Sequence, residues 1–132
     1  MTKMRKTVIV ATAAITILTT TALAQDVQKG QMVFNMCLPC HSIGPGAQNK
    51  VGPELNGLDG RRSGSVPGFD YSDPNKSSGI VWNEAIFKKY IQNPQGVISG
   101  TKMIFPGVKN EQQVNDLWVY LSQFTSDGGI KK

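Results

Sequence analysis

The chain has 132 residues, 14 Lys and Arg against 9 Asp and Glu, a net charge of +5 and a pI near 9.4, with two cysteines and one histidine. This is the size of one small domain. The basic residues form no clustered stripe, so nucleic acid is excluded as a partner class, and a single histidine excludes any mechanism that needs a histidine base beside a histidine ligand.

The chain opens on MTKMRK, then runs without charge from Thr7 to Ala24, ending in Ala22-Leu23-Ala24. A basic start, an apolar middle and a small-residue end make a secretory signal peptide. The threonines at 7, 12, 16 and 19–21 dilute the stretch below what a spanning helix of about 20 apolar residues needs. The expected division is a leader over 1–24 and one domain over 25–132, with Gln25 first after cleavage. Lys3, Arg5 and Lys6 leave with the leader, so eleven basic residues face nine acids and the mature charge is +2.

From about Asp26 to Cys40 an apolar stripe of Val27, Gly30, Val33, Phe34 and Cys37 recurs at helical period and predicts the first helix. At its end stands Cys37-Leu38-Pro39-Cys40-His41, which holds both cysteines and the only histidine. A disulfide across two intervening residues closes a tiny loop and stabilises little. A thioredoxin-like dithiol belongs beside a βαβ pattern, which the chain lacks, and a structural zinc needs four ligands where three are at hand. The spacing is that of covalent haem c attachment: two thioether tethers, Cys37 and Cys40, and one axial ligand, His41. The reactivity then comes from the cofactor, which the protein holds and tunes.

Residues 42–82 carry eight glycines and four prolines and read as a long irregular wrap. So long a loop is unusual in a compact domain, unless a buried cofactor supplies the core against which it closes. A second helix is predicted over 83–93, with Asn83 as N-cap, Ile86, Phe87, Tyr90 and Ile91 inward, and Pro94 as stop. The Gly/Pro loop 99–107 contains Met103. Of five methionines, Met1 and Met4 lie in the leader, while Met32 and Met36 share the segment that delivers the cysteines. If the iron is six-coordinate, its other ligand comes from a Met, Lys, Tyr, Asn or terminal amine, and among the methionines elimination favours Met103. The last helix begins at an Asn110/Gln113 capping box, with Val114, Leu117, Trp118 and Leu121 at i, i+3, i+4 and i+7. Residues 126–132 are expected to be a frayed end.

The stretches CLPCH, NKVGPELNGLDGRRSG, PGFDYSDPNKSSGIVWNEAIFKKYIQNP and GTKMIFPG, in this order from Asp26 to Phe124, resemble class I cytochrome c of the periplasmic cytochrome c2 type and its mitochondrial counterpart. The resemblance implies an all-α fold of three main helices and long loops around one covalent haem. It implies a one-electron carrier, not an enzyme, shuttling as a monomer in the periplasm between redox complexes. A quinol–cytochrome c reductase type donor and an oxidase or other acceptor would dock transiently, with no stable membrane insertion. By the same resemblance Cys37 and Cys40 are the attachment sites and His41 and Met103 the axial ligands. Pro53 supplies the carbonyl that orients the imidazole; Arg61, Tyr71 and Trp82 hold the haem propionates; Asn75, Tyr90 and Thr101 form a polar network; and Gly30 and Phe34 meet Leu117 and Tyr120. Where relatives carry lysines around the exposed haem edge, this chain has Met36, Gln95 and Asn110, though Lys50, Lys102 and Lys109 remain. Two other readings compete: a haem domain serving as a fixed subunit of a larger oxidoreductase, and a haem enzyme or gas sensor with an open iron site.

Overall fold

A computed structural model describes residues 26–132; the proposed leader lies outside the described residues. Five helices appear in order: α1 (Val27–Phe34), α2 (Asp73–Ser77), α3 (Glu84–Gln92), α4 (Pro94–Val97) and α5 (Glu111–Ser122). Among the described residues the only β pairing is two isolated bridges, Arg62 with Val81 and Phe124 with Ile130, and no helix there is long and apolar enough to cross a membrane.

The crossing of α1 and α5 is the frame. Gly30 lets the two backbones touch, since a Cβ there would lie 2.0 Å from the Asp116 carbonyl oxygen. One turn on, the Phe34 and Tyr120 rings stack tilted at 5.4 Å between centroids. An unforeseen polar clamp holds the same contact. Asp116 is 2 % exposed, and its Oδ1 accepts from the Asp26 N–H at 3.0 Å and from Gln112 Nε2 at 2.9 Å. Asp26 in turn caps α1, accepting from the N–H groups of Gln28 and Lys29. A buried carboxylate is tolerated only when it is bonded in this way.

The lower face of α5 is the core: Val114, Leu117 and Leu121 are sealed from solvent, each such side chain contributing roughly 1.5–3 kcal/mol by burial. Phe87 of α3 packs on Trp118 of α5 at 5.2 Å. The caps of α3 and α5 are the expected ones, with Asn83 accepting from the Ile86 N–H and Asn110 from the Gln113 N–H.

Three expectations need correction. The first helix ends at Phe34, not Cys40: from Asn35 the N–H groups reach back three residues, as in Asn35 to Met32, Met36 to Val33 and Cys37 to Phe34. These tighter turns carry the Cys-x-x-Cys-His segment. The loop from 42 to 82 contains α2, capped by the Ser72 hydroxyl and with Pro74 in its first turn, and α4 follows α3 directly, capped by Asn93. The end of the chain is folded back: Thr125 N–H donates to the Gly129 carbonyl and Lys131 N–H to the Gln123 carbonyl, both at 2.8 Å, and Asp127 binds the Thr125 hydroxyl and the Gly129 N–H.

Candidate haem site

The wrap from Ser42 to Trp82, the loop before α5 and the inner faces of α3 and α5 enclose one cavity of about 280 Å³. All ten candidate residues line it: Cys37, Cys40, His41, Arg61, Tyr71, Asn75, Trp82, Tyr90, Thr101 and Met103. Its floor is apolar, with Leu58, Phe87, Ile91, Leu117 and Leu121 buried. Its mouth carries exposed apolar side chains, Met36 47 %, Val51 77 % and Ile104 89 % exposed, beside the exposed Arg62 and Lys102.

The turn after Phe34 delivers the motif. Cys40 and His41 N–H both bond the Cys37 carbonyl, at 3.0 and 2.8 Å, so the three chemical side chains are fixed by one loop of backbone. Both sulfurs are free thiols. Burial, followed by the neighbouring Cys40, pushes the Cys37 thiol up to about 11, so it is held protonated at neutral pH.

His41 is almost fully buried. Its Nδ1 donates to the Pro53 carbonyl at 2.7 Å, the contact expected for Pro53, which puts the proton on Nδ1 and leaves the Nε2 lone pair for another partner. Burial lowers the imidazole pKa, and the charges of Arg61 and Lys50 add to this against the opposing Pro53 bond. The neutral imidazole is therefore favoured. Gly52 is required beside it: a Cβ at that position would lie 2.3 Å from His41 Cε1.

Met103 stands on the other chain segment of the cavity. The Tyr90 hydroxyl donates to its Sδ at 3.4 Å and lies 3.3 Å from Thr101 Oγ1, while the Met103 N–H donates to that same Oγ1 at 3.3 Å. Tyr90 is further fixed edge-on to Trp82, 4.9 Å between ring centroids. Burial raises the Tyr90 pKa, partly offset by the Thr101 bond, so its hydroxyl keeps its proton and acts as a donor.

Arg61 carries a positive charge into the wall. One terminal nitrogen donates to the carbonyls of Glu54 and Asn56, both at 2.9 Å, and faces the Glu54 carboxylate at 3.7 Å. Burial lowers its pKa, with Tyr71 and Glu54 opposing; a guanidinium nonetheless stays charged. The Tyr71 hydroxyl accepts from the Val66 N–H at 3.2 Å, leaving its proton to donate elsewhere. Trp82 is held by its backbone, which exchanges hydrogen bonds with Gly60 and Arg61. Asn75 lines the same cavity, but its Oδ1 accepts from the Ser72 hydroxyl at 3.0 Å, so its side chain serves the capping of α2.

Three contributors, Asn56, Glu54 and Asp70, were not singled out from the sequence, and a fourth, Gln95, was marked there only as a haem-edge position without a lysine. Asn56 makes a two-way bond to Gly44, its Oδ1 accepting from the N–H and its Nδ2 donating to the carbonyl. Glu54 accepts from the Asn56 N–H and neighbours Arg61. Asp70 holds Lys102 by its carboxylate at 2.7 Å and its carbonyl at 3.0 Å, and Gln95 binds the backbone of Gly100 and Thr101. The available signal was general: Asn and Asp in Gly/Pro-rich loops bond nearby backbone.

The residues fit a covalent haem. Two thiols, an imidazole with one free nitrogen and a thioether face one apolar cavity, with Arg61 and Tyr71 as polar groups in its wall. No protein-family model matches the chain. Residue by residue it is 61 % identical over 110 residues to cytochrome c2 of Blastochloris viridis, covering 83 % of this chain and 87 % of that one. It is 60 % identical over 103 residues to cytochrome c-550 of Bradyrhizobium diazoefficiens, covering 78 % and 76 %. In three dimensions it is similar to cytochrome c2 from Rhodospirillum centenum, with a TM-score of 0.72 and 35 % identity over 76 % of this chain and 98 % of that one. The fold, the donor set in one cavity and these relatives agree that the chain belongs to the class I cytochrome c family, in its cytochrome c2 and c-550 group.

Proposed function

We propose that this cytochrome works in the periplasm as a one-electron shuttle, with Cys37 and Cys40 as the attachment sites of its haem and His41 and Met103 as the axial ligands. The family makes it a soluble electron carrier with one covalent haem c. The observation that carries the ligand assignment is that His41 and Met103 line the same cavity as both thiols, each oriented by a hydrogen bond, from His41 Nδ1 to Pro53 and from Tyr90 to the Met103 sulfur.

Haem c supplies the redox change, one electron taken up and given back at the iron. The chain's own residues do the rest. Pro53 fixes the imidazole tautomer, and Tyr90 withdraws density from the Met103 sulfur. Methionine ligation and an apolar wall both favour the reduced state and a high potential. Arg61, Tyr71 and Trp82 would hold the acidic groups of the haem, and Asn75 and Thr101, which line the same cavity, would add polar contacts. Were Met103 to ligate the iron opposite His41's side of the cavity, a substrate would find no open position there, and this is what would separate a carrier from a haem enzyme or gas sensor.

Partners dock at the cavity mouth, where Met36, Val51 and Ile104 are exposed. The donor is of the quinol–cytochrome c reductase type and the acceptor an oxidase or another redox complex. The leader over 1–24 directs export, and Gln25 begins the mature chain. Mass spectrometry together with an optical spectrum of the purified protein tests this reading: a mass beginning at Gln25 with one haem added, and a ferric far-red sulfur-to-iron band, support it. A mass without the haem increment, or a ferric spectrum of five-coordinate iron, overturns it.

A further inference from the structure

The segment that ends in Met103 is held from the helix before it. Asn93 starts α4, its Oδ1 accepting from the Gly96 N–H at 3.1 Å, with buried Pro94 at the first position. This turn sends the Gln95 side chain across to the next loop. There its Nε2 donates to the Thr101 carbonyl at 2.8 Å, and its Oε1 accepts from the Gly100 N–H at 3.3 Å. One amide group thus ties down both backbone groups of the turn that leads into Met103. Thr101 is also the residue whose hydroxyl accepts the Met103 N–H and neighbours Tyr90.

Gln95 is itself exposed, so it contributes little to the core. Its side chain is nonetheless engaged at both ends, and a long flexible side chain loses rotamer freedom when ordered in this way. That cost is offset only by the bonds it makes to the loop.

We propose that Gln95 is a positioning residue for the distal methionine: by bracketing Gly100 and Thr101 it keeps residues 100–103 in the arrangement that holds Met103 on the cavity wall, and so sets how rarely the sulfur leaves the iron. This rests on the reading of Met103 as a ligand. The role is distinct from that of Tyr90, which touches the sulfur itself, and from that of Asp70, which holds Lys102 on the outer side of the same segment.

The test is an imidazole titration of the ferric holoprotein, followed by loss of the far-red band. Imidazole enters only when the loop has opened, so its apparent affinity scales with the open fraction. Loss of two hydrogen bonds in Gln95→Ala is expected to raise that affinity about tenfold and to speed amide exchange at Gly100, read by NMR. Gln95→Glu keeps the acceptor for Gly100 and loses the donor to Thr101, so it should fall between. The urea midpoint followed by tryptophan fluorescence should fall by no more than that same tenfold loss of the closed state requires, whereas a merely structural role would lower the midpoint and leave the imidazole affinity at the parent's value. Unchanged imidazole affinity in Gln95→Ala overturns the inference, even if Gly100 exchange accelerates, because the loop would then loosen without freeing the sulfur. Met103→Ala separates the two readings. If the far-red band survives there, the ligand assignment fails and this inference with it; if it is lost there while Gln95→Ala matches the parent, the inference alone falls.

Discussion

The Tyr90 hydroxyl donates to the Met103 sulfur at 3.4 Å while lying 3.3 Å from the Thr101 hydroxyl. A thioether is a weak acceptor with lone pairs to share, so the bond draws density from the atom proposed to bind iron. A poorer donor stabilises the oxidised metal less. Tyr90→Phe should therefore lower the reduction potential by a few tens of millivolts, about 40 mV for each kcal/mol of differential hydrogen bonding. Redox titration decides it, and a raised potential would reverse the argument.

Met103→Ala should abolish the ferric far-red band and admit small ligands such as cyanide or imidazole at the iron. Met103→His should keep six-coordination yet lower the potential, because methionine is the ligand that raises it. Persistence of the band in Met103→Ala would return Met32 or Met36 to consideration. Exposure already argues against Met32, which is 70 % open to solvent and lies outside the cavity lining.

At the α1–α5 crossing, Gly30→Ala would put a methyl group 2.0 Å from the Asp116 carbonyl oxygen. Backbone cannot yield as a side-chain tip does, so the helices must separate, loosening the Phe34–Tyr120 stack and the bond from Asp26 to Asp116. Overpacking typically costs about 1–3 kcal/mol, and the closeness here places the loss at the upper end. A urea series should show it as a lower midpoint; a midpoint within error of the parent would mean that the crossing relaxes freely.

The sequence-readable parts were those with a short-range signal. Asn83 and Asn110 announce the starts of α3 and α5 by local chemistry, and Val114, Leu117 and Leu121 mark the buried face of α5 by period. The Cys-x-x-Cys-His segment was legible because its chemistry lies within one turn. The Asp26–Asp116 bond spans 90 positions and the Lys102–Asp70 pair 32, and nothing local marks either partner. The end of the first helix was misread because its apolar stripe continues to Cys37 while the hydrogen bonding tightens after Phe34. Periodicity reports which face is buried, not which carbonyl an N–H reaches. The folded-back tail depends on the Asp127 carboxylate and the Phe124–Ile130 bridge, which composition does not distinguish from a loose end.

Docking at the cavity mouth should depend only modestly on salt. Steered association follows the field near the reactive edge and is screened by ions. Lys102 is paired with Asp70 at 2.7 Å, and the Lys50 and Lys109 ammonium groups donate to the carbonyls of Leu38 and Gln92. These last two are held in place by those bonds. The Lys102 hydrogen bond, followed by its charge, keeps the Asp70 carboxyl below its usual range, so the carboxylate facing Lys102 stays ionised through neutral pH. Only as pH falls through that lowered pKa is Asp70 protonated and the Lys102 charge left uncompensated. Apolar contact through Met36, Val51 and Ile104 then carries more of the recognition, as the centre of an interface does. In stopped-flow mixing with a membrane-bound cytochrome oxidase, the rate should fall only modestly from low to moderate salt. Asp70→Asn, which releases the Lys102 charge, should steepen that dependence, and Lys102→Glu should slow transfer more than Lys131→Glu, whose lysine pairs with Asp59 away from the cavity mouth. A fall of orders of magnitude in the parent would show that Lys50, Lys102 and Lys109 suffice for steering despite Asp70.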